Sequence, residues 1–136
     1  MKFNVRVYGI LIHENQIMLT KENRFGKSFT KFPGGGLEFG EGTKECLKRE
    51  FQEELSIEVK IEKLLYVTDF FQESAFDSKQ QIISIYYKVA SANSNFNRKD
   101  IKVDSEVESI VWKPLESLSE NDLTFPIDKY LVKNIL

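Results

Sequence analysis

Val5 to Ile12 is a run of β-branched and aromatic residues, and Gln16 to Thr20 is a second. His13-Glu14-Asn15 between them is polar and turn-prone, so the two runs predict a β-hairpin. Glu22 to Phe32 is polar with interspersed aromatics and reads as a connection. FPGGGLEFGEG follows, and five of the seven glycines lie between Gly34 and Gly42. Such clustering marks a loop with unusual torsions or close approach to a ligand. Leu47, Phe51 and Leu55 recur every fourth residue and give Thr43–Leu55 one apolar helical stripe. Gly42 or Thr43 can cap it, with Glu45 placed to reach back. Ile57–Phe71, Gln81–Ala90 and Val107–Trp112 are strand-like, and the polar stretch Ser91–Ser105 is a long connection. Ile127, Tyr130, Leu131, Asn134 and Ile135 fit a terminal helix with Pro126 in its first turn. Strands, helix, strands, helix is the order of an α/β (α+β) layered domain with a mixed sheet. No repeat or linker divides it, so one domain over residues 1–136 is expected.

Three acids on the first helix break two local rules. At about 100° per residue, Glu53 projects roughly 60° to one side of Glu50 and Glu54 roughly 40° to the other. Like charges at these spacings repel. They also sit in the last two turns, where the helix dipole disfavours anions. A divalent cation resolves both conflicts, and carboxylate oxygens suit Mg²⁺ or Mn²⁺. The arc lies beside the apolar stripe, so the acids should stand at the edge of the core. The bland alternative is a solvated face laced by the i,i+4 pairs Glu45–Arg49 and Arg49–Glu53. The glycine loop leading into the helix favours a phosphate-chemistry site.

Composition narrows the partners. The 136 residues carry 29% charged and 41% hydrophobic side chains, ordinary for a folded protein. A net charge of −2 argues against a nucleic-acid polymer as partner, while leaving room for a small anionic substrate. The N-terminal apolar run is too short for a signal core or a membrane span. The single cysteine, Cys46, suits a reducing cytoplasm.

The residues spell a known pattern, G-x5-E-x7-R-E-U-x-E-E-x-G-U, with U bulky and aliphatic. This chain reads Gly35, Glu41, Arg49, Glu50, Phe51, Glu53, Glu54, Leu55, Ser56, Ile57 in register, after Phe32-Pro33-Gly34. It resembles the Nudix hydrolase family, departing at Ser56, where glycine is usual, and at Phe51. Six fixed positions match without a gap, a coincidence on the order of one in a hundred thousand by chance.

The resemblance implies an α/β/α sandwich and hydrolysis of a diphosphate linkage in a nucleoside diphosphate derivative. It implies that Glu50, Glu53 and Glu54 bind Mg²⁺ or Mn²⁺ with the carbonyl of Gly34, and that Arg49 and Glu41 orient the carboxylates. The general base stays open among Glu53, Glu54, Glu106 and Glu108; edge-strand surface is the favoured reading of the last two. Phe70, Phe71, Phe76, Tyr86 and Tyr87 are candidates for stacking on a base, with core the commoner fate of strand aromatics. Arg6 and Arg24 rank low as phosphate contacts, and His13 reads as surface. Gly26-Lys27-Ser28 is not a phosphate-binding P-loop, because position 21 is Lys21 and not glycine. A homodimer is compatible with the family's habits. A non-catalytic nucleotide- or sugar-sensing domain is the alternative, disfavoured by the intact acid set.

Overall fold

The computed structural model describes residues 1–136. The hairpin forms as expected from β1 (Lys2–His13) and β2 (Gln16–Arg24), joined at Glu14 and Asn15, both at positive φ. Left-handed torsions at both turn positions match the twist of the strands. The polar connection expected at Glu22–Phe32 is instead mostly strand. β2 continues to Arg24, turns at Phe25 (φ 53°) and Gly26 (φ 74°), and returns as β3 (Lys27–Lys31). A phenylalanine in the left-handed region hides this turn from a sequence reading. The glycine run also forms a short strand, β4 (Gly34–Gly36), paired antiparallel with Arg6–Tyr8 of β1.

The helix α1 covers Thr43–Leu55. Gly42 caps it from an extended conformation, and its N–H donates to the Glu45 carboxylate at 3.2 Å. Ser56 ends it in the left-handed conformation (φ 56°, ψ 35°), with its N–H on the carbonyl of Gln52. Two long strands follow, β5 (Val59–Val67) and β6 (Gln80–Ser91). Then come β7 (Ser109–Pro114) and α2 (Pro126–Asn134), with Pro126 in its first turn.

The seven strands make one mixed sheet hinged on β1. Along one edge β1 runs parallel to β6, Lys2–Leu11 against Gln80–Val89. Its other edge is divided. Arg6–Tyr8 pair with β4, and only Ile12 and His13 pair with β2. β2, β3 and β7 therefore form a second leaf that leaves the main one at this fork.

Strand alternation sends successive residues to opposite faces, and each face carries a core. Val7, Leu11, Met18, Tyr87 and Val89 pack under Cys46, Leu47, Phe51 and Leu55 of α1. Tyr8, Ile10, Ile17, Leu19, Phe32 and Tyr86 pack under Ile127, Leu131 and Val132 of α2. The result is the expected α/β/α sandwich. Gly9 is glycine because Phe51 lies where a Cβ would be, 2.6 Å from its ring.

His13 corrects the sequence reading. It is half-buried, not free surface. Its Nδ1 accepts from Arg98 Nε at 3.0 Å and its ring meets Phe96 edge-on. Arg98 also donates to the His13 carbonyl and stacks 4.0 Å over Trp112. These contacts pin the long 92–108 connection to the hairpin, which a sequence could not show because the partners lie 85 positions apart.

Candidate active site

Arg49 organises the acids. Its Nε and Nη2 donate to the two oxygens of Glu41 at 3.0 and 2.7 Å, a bidentate pair. Its Nη1 donates to Glu50 at 2.9 Å and to Glu53 at 3.2 Å, and Nη2 also reaches the Gly36 carbonyl at 3.2 Å. The expected Glu45–Arg49 pair does not form, because Glu45 turns back to cap the helix. Hydrogen bonds from Arg49 and from the Glu38 N–H pull the Glu41 carboxyl down to about 2. Glu41 thus locks the loop to the helix as a permanent anion. Burial and the neighbouring Glu41 push the Cys46 thiol up to about 12, so it stays protonated and unreactive.

The three helix acids occupy different depths. Glu54 is 7% exposed, the Glu50 side chain 12% and the Glu53 side chain 58%. The expected position at the edge of the core holds for Glu50 and Glu54. Burial pushes the Glu54 carboxyl up to about 8; Lys31 opposes the shift and the facing Glu50 adds to it. No three of these acids converge on one point; Glu53 stands apart, drawn to Arg49.

Two observations test whether this set fits a divalent cation. The Glu54 Oε2 is buried with no hydrogen-bond donor. A Cβ on Gly35 would fall 2.5–2.7 Å from the Glu50 carboxyl, so glycine there leaves a cradle for that side chain. An unpartnered buried oxygen beside a second carboxylate suits a hard metal ion. The fit is to Glu50 and Glu54 first, with Glu53 reaching in from solvent. Gly34 adopts φ 146°, and a Cβ there would strike the Val7 carbonyl at 2.1 Å. Its own carbonyl accepts from Lys31 Nζ at 3.4 Å.

A cavity of about 380 Å³ opens on the α2 side of the sheet. Period-two alternation aims Asn4, Arg6 and Tyr8 of β1, and Ile82, Ser84 and Tyr86 of β6, into its floor. Glu22 and Arg24 from β2 and Phe29 and Lys31 from β3 form one wall. Phe76 and Phe125 complete an aromatic side, with Phe125 stacked on Phe29 at 5.3 Å and Phe76 edge-on to Phe29 at 5.4 Å. Phe25 stands 83% exposed at the hairpin tip, 6.2 Å from Phe76.

The floor is charged. Arg6 donates to the Tyr8 hydroxyl at 2.6 Å. Burial works against its charge, but Tyr8, Glu50 and Glu22 outweigh that and raise its pKa. Lys31 is only 6% exposed. Its ammonium sits 2.8 Å from Glu22, though off the line of a hydrogen bond, and 5.4 Å above the Tyr8 ring. Its pKa too is raised despite burial, by Tyr8, Glu22 and Glu54. Arg6 and Lys31 therefore feel both the cavity and the α1 acids. Deeper in, Tyr86 donates to Asp128 at 2.5 Å. Burial raises the Asp128 carboxyl to about 6, against the Tyr86 bond and Lys31, and drives the Tyr86 hydroxyl well above its ordinary value.

The cavity gathers Phe76 and Tyr86 among the aromatic candidates, and both Arg6 and Arg24, ranked low on sequence. It does not gather the others. Phe70 packs on Tyr130, Phe71 faces solvent, and Tyr87 lies in the α1-side core with its hydroxyl 2.7 Å from Thr43. Glu106 and Glu108 are exposed; the Glu108 N–H bonds the Lys21 carbonyl, as an edge-strand residue would. Glu22, Lys31, Tyr8 and Asp128 were not singled out by sequence. A buried lysine at the end of a polar-looking strand gives no local signal. No helix is long and apolar enough to cross a membrane.

Comparison with known proteins bears on the family and the fold. The family model described as the NUDIX domain matches residues 2–135. The nucleoside triphosphatase NudI of Escherichia coli O81 (strain ED1a) is 29% identical over 102 residues, spanning 72% of this chain and 70% of the relative. Among solved structures, a MutT NUDIX hydrolase from Burkholderia pseudomallei superimposes with a TM-score of 0.79, at 18% identity and 100% of both chains. A NUDIX hydrolase from Nitrosomonas europaea gives 0.76 at 18% identity, over 96% of this chain and 86% of that one. These structural likenesses concern the fold.

Proposed function

We propose, from the premise that the chain belongs to the NUDIX domain family, that it hydrolyses a diphosphate linkage in a nucleoside triphosphate or a related nucleoside diphosphate derivative. The observation that carries this reading is the charged cavity floor, whose Lys31 ammonium also reaches the Gly34 carbonyl next to the acid set. An aromatic slot accepts a base by stacking, and Arg6 and Lys31 offer cations to phosphates on the way to Glu50 and Glu54. The triphosphatase named among the relatives favours a triphosphate.

In this mechanism Glu50, Glu53 and Glu54, with the Gly34 carbonyl, would hold Mg²⁺ or Mn²⁺. A bound ion would lower the pKa of the attacking water and offset charge on the phosphates. Arg49 fixes Glu50 and Glu53, and Glu41 fixes Arg49. Water attacks phosphorus as Glu53 or Glu54 takes its proton, and the bond from that phosphorus to the bridging oxygen breaks, the departing phosphate keeping the electron pair. The aromatic slot and the buried floor exclude competing water from the base side.

A panel of nucleoside triphosphates, ADP-ribose and sugar nucleotides, assayed with Mg²⁺ and Mn²⁺ and with products identified, tests the reading. Glu53→Gln should nearly abolish divalent-dependent release of phosphate or a nucleoside monophosphate. Unchanged turnover in that variant sinks the mechanism. Saturable nucleotide binding without hydrolysis under either ion would instead make the chain a sensing domain.

A further inference from the structure

Lys31 is the one buried ammonium at the fork of the sheet, and its acceptors are unusual. Nζ bonds the Phe32 carbonyl at 3.2 Å and the Gly34 carbonyl at 3.4 Å, and lies 2.8 Å from Glu22. The Gly34 carbonyl is the backbone ligand assigned above to the divalent ion. Glu54, the deepest acid, is close enough for its charge to act on Lys31.

We propose that Lys31 is a built-in placeholder for the divalent ion: its ammonium competes with the metal for the Gly34 carbonyl and sets how tightly the acid set binds it. This rests on the metal-dependent reading given above. Contact and charge both act in the same direction. A carbonyl already accepting from an ammonium is a poorer ligand for a metal, even with its second lone pair open, and a fixed positive charge nearby opposes a second one. The Glu22 carboxylate is the ammonium's alternative partner. Lys31 is thus a positioning residue: it acts on the ion through a shared ligand and touches none of the reacting atoms in this role.

Mn²⁺ binding, read by the loss of the free-ion spin-resonance signal without nucleotide, tests this directly on the full chain. Lys31→Met should bind Mn²⁺ about tenfold more tightly than the native protein. Glu22→Gln, which leaves the ammonium to the carbonyls, should bind no tighter. The double variant Glu22→Gln/Lys31→Met has the native net charge, yet should still bind several-fold more tightly, because the Gly34 carbonyl is released. Native affinity in the double variant would overturn the proposal and leave only a net-charge effect. Unchanged affinity in Lys31→Met would overturn it outright, while native Mn²⁺ binding would leave the metal-dependent reading standing. Mn²⁺ binding by none of the four proteins would sink that reading and the proposal together. Thermal melts check folding, and Lys31→Gln, which drops the charge but keeps an N–H donor, should fall between the native protein and Lys31→Met.

Discussion

The acid set and the aromatic cavity are joined through Lys31 but are assembled in opposite ways. The acid set comes from residues 34–54, a strand, a loop and a helix in immediate succession. Its charges are settled among themselves through Arg49. The cavity draws on β1, β2, β3, β6, α2 and the 72–77 segment, and Asn4 and Asp128 lie at nearly opposite ends of the chain. On the proposed function, the chemistry is therefore local and the recognition tertiary. Damage to the first should lower kcat at nearly constant KM, and damage to the second should raise KM at nearly constant kcat.

The largest effect is expected on the local side. In Gly35→Ala the new methyl would overlap the Glu50 carboxyl, the movable end of a side chain, so the fold can survive. Glu50 must leave its place, and with it one of the proposed metal ligands. A kcat loss of about a thousandfold, some 4 kcal/mol, is expected, with a melting temperature within a few degrees of native. Steady-state kinetics beside a thermal melt check both halves. Full activity would mean that the position of Glu50 is immaterial, and the division drawn here would fail.

This division also explains what the sequence could and could not show. Thr43–Leu55 and its acids were readable because spacing within one helix determines who meets whom, whereas the roles of Glu41 and Arg49 came only through the family resemblance. The terminal helix was readable from its period and from Pro126. β3 was not, since its turn uses Phe25 at positive φ and its inward face alternates Phe29 with a charged Lys31. β4 was not, because three glycines have no pattern of sides. Glu22 meets Lys31 only because β2 and β3 pair, and a polar residue on a strand looks solvated until the pairing is known.

The next effect separates the two regions by the sign of their pH dependence. The Glu41 carboxyl is depressed to about 2, below its ordinary 4.5. Its stabilisation is complete above 4.5 and is lost as pH falls through 2. Asp128 is raised to about 6 from 3.8. Its contribution is complete below 3.8 and is lost as pH rises through 6, at up to about 3 kcal/mol. Between pH 4 and 6, native stability should fall relative to Asp128→Asn. Between 4.5 and 2, native stability should fall relative to Glu41→Gln. Denaturant midpoints across pH check each difference, and slopes of the same sign would contradict the assignment.

A smaller effect tests the cavity. Phe125→Ala removes the ring stacked on Phe29 and next to Phe76. Loss of one aromatic contact to a base is worth about 1–1.5 kcal/mol, so KM for the best nucleotide should rise about tenfold. The kcat should change less than twofold. A kcat loss matching the KM change would tie the slot to the reacting end.

The smallest effect concerns Ser56, where the acid stretch departs from the family pattern. Serine in the left-handed region costs about 1 kcal/mol relative to glycine. Its Oγ returns part of this through a hydrogen bond to the Lys102 carbonyl at 3.3 Å, worth about 0.5 kcal/mol at an exposed site. Glycine would also lose about 0.4–1 kcal/mol by loosening the unfolded chain. The terms nearly cancel, so Ser56→Gly should change stability by no more than about 0.5 kcal/mol in either direction. Ser56→Ala keeps the backbone strain and loses the hydrogen bond, so it should be less stable than native by about 0.5 kcal/mol. Both should keep native kcat, because the Glu53 and Glu54 side chains are placed by Arg49 and by burial, not by the residue that ends the helix. A kcat change in Ser56→Gly with unaltered stability would show that the helix terminus itself aims the acids, and the local half of the site would then extend to the 102–104 segment bonded to it.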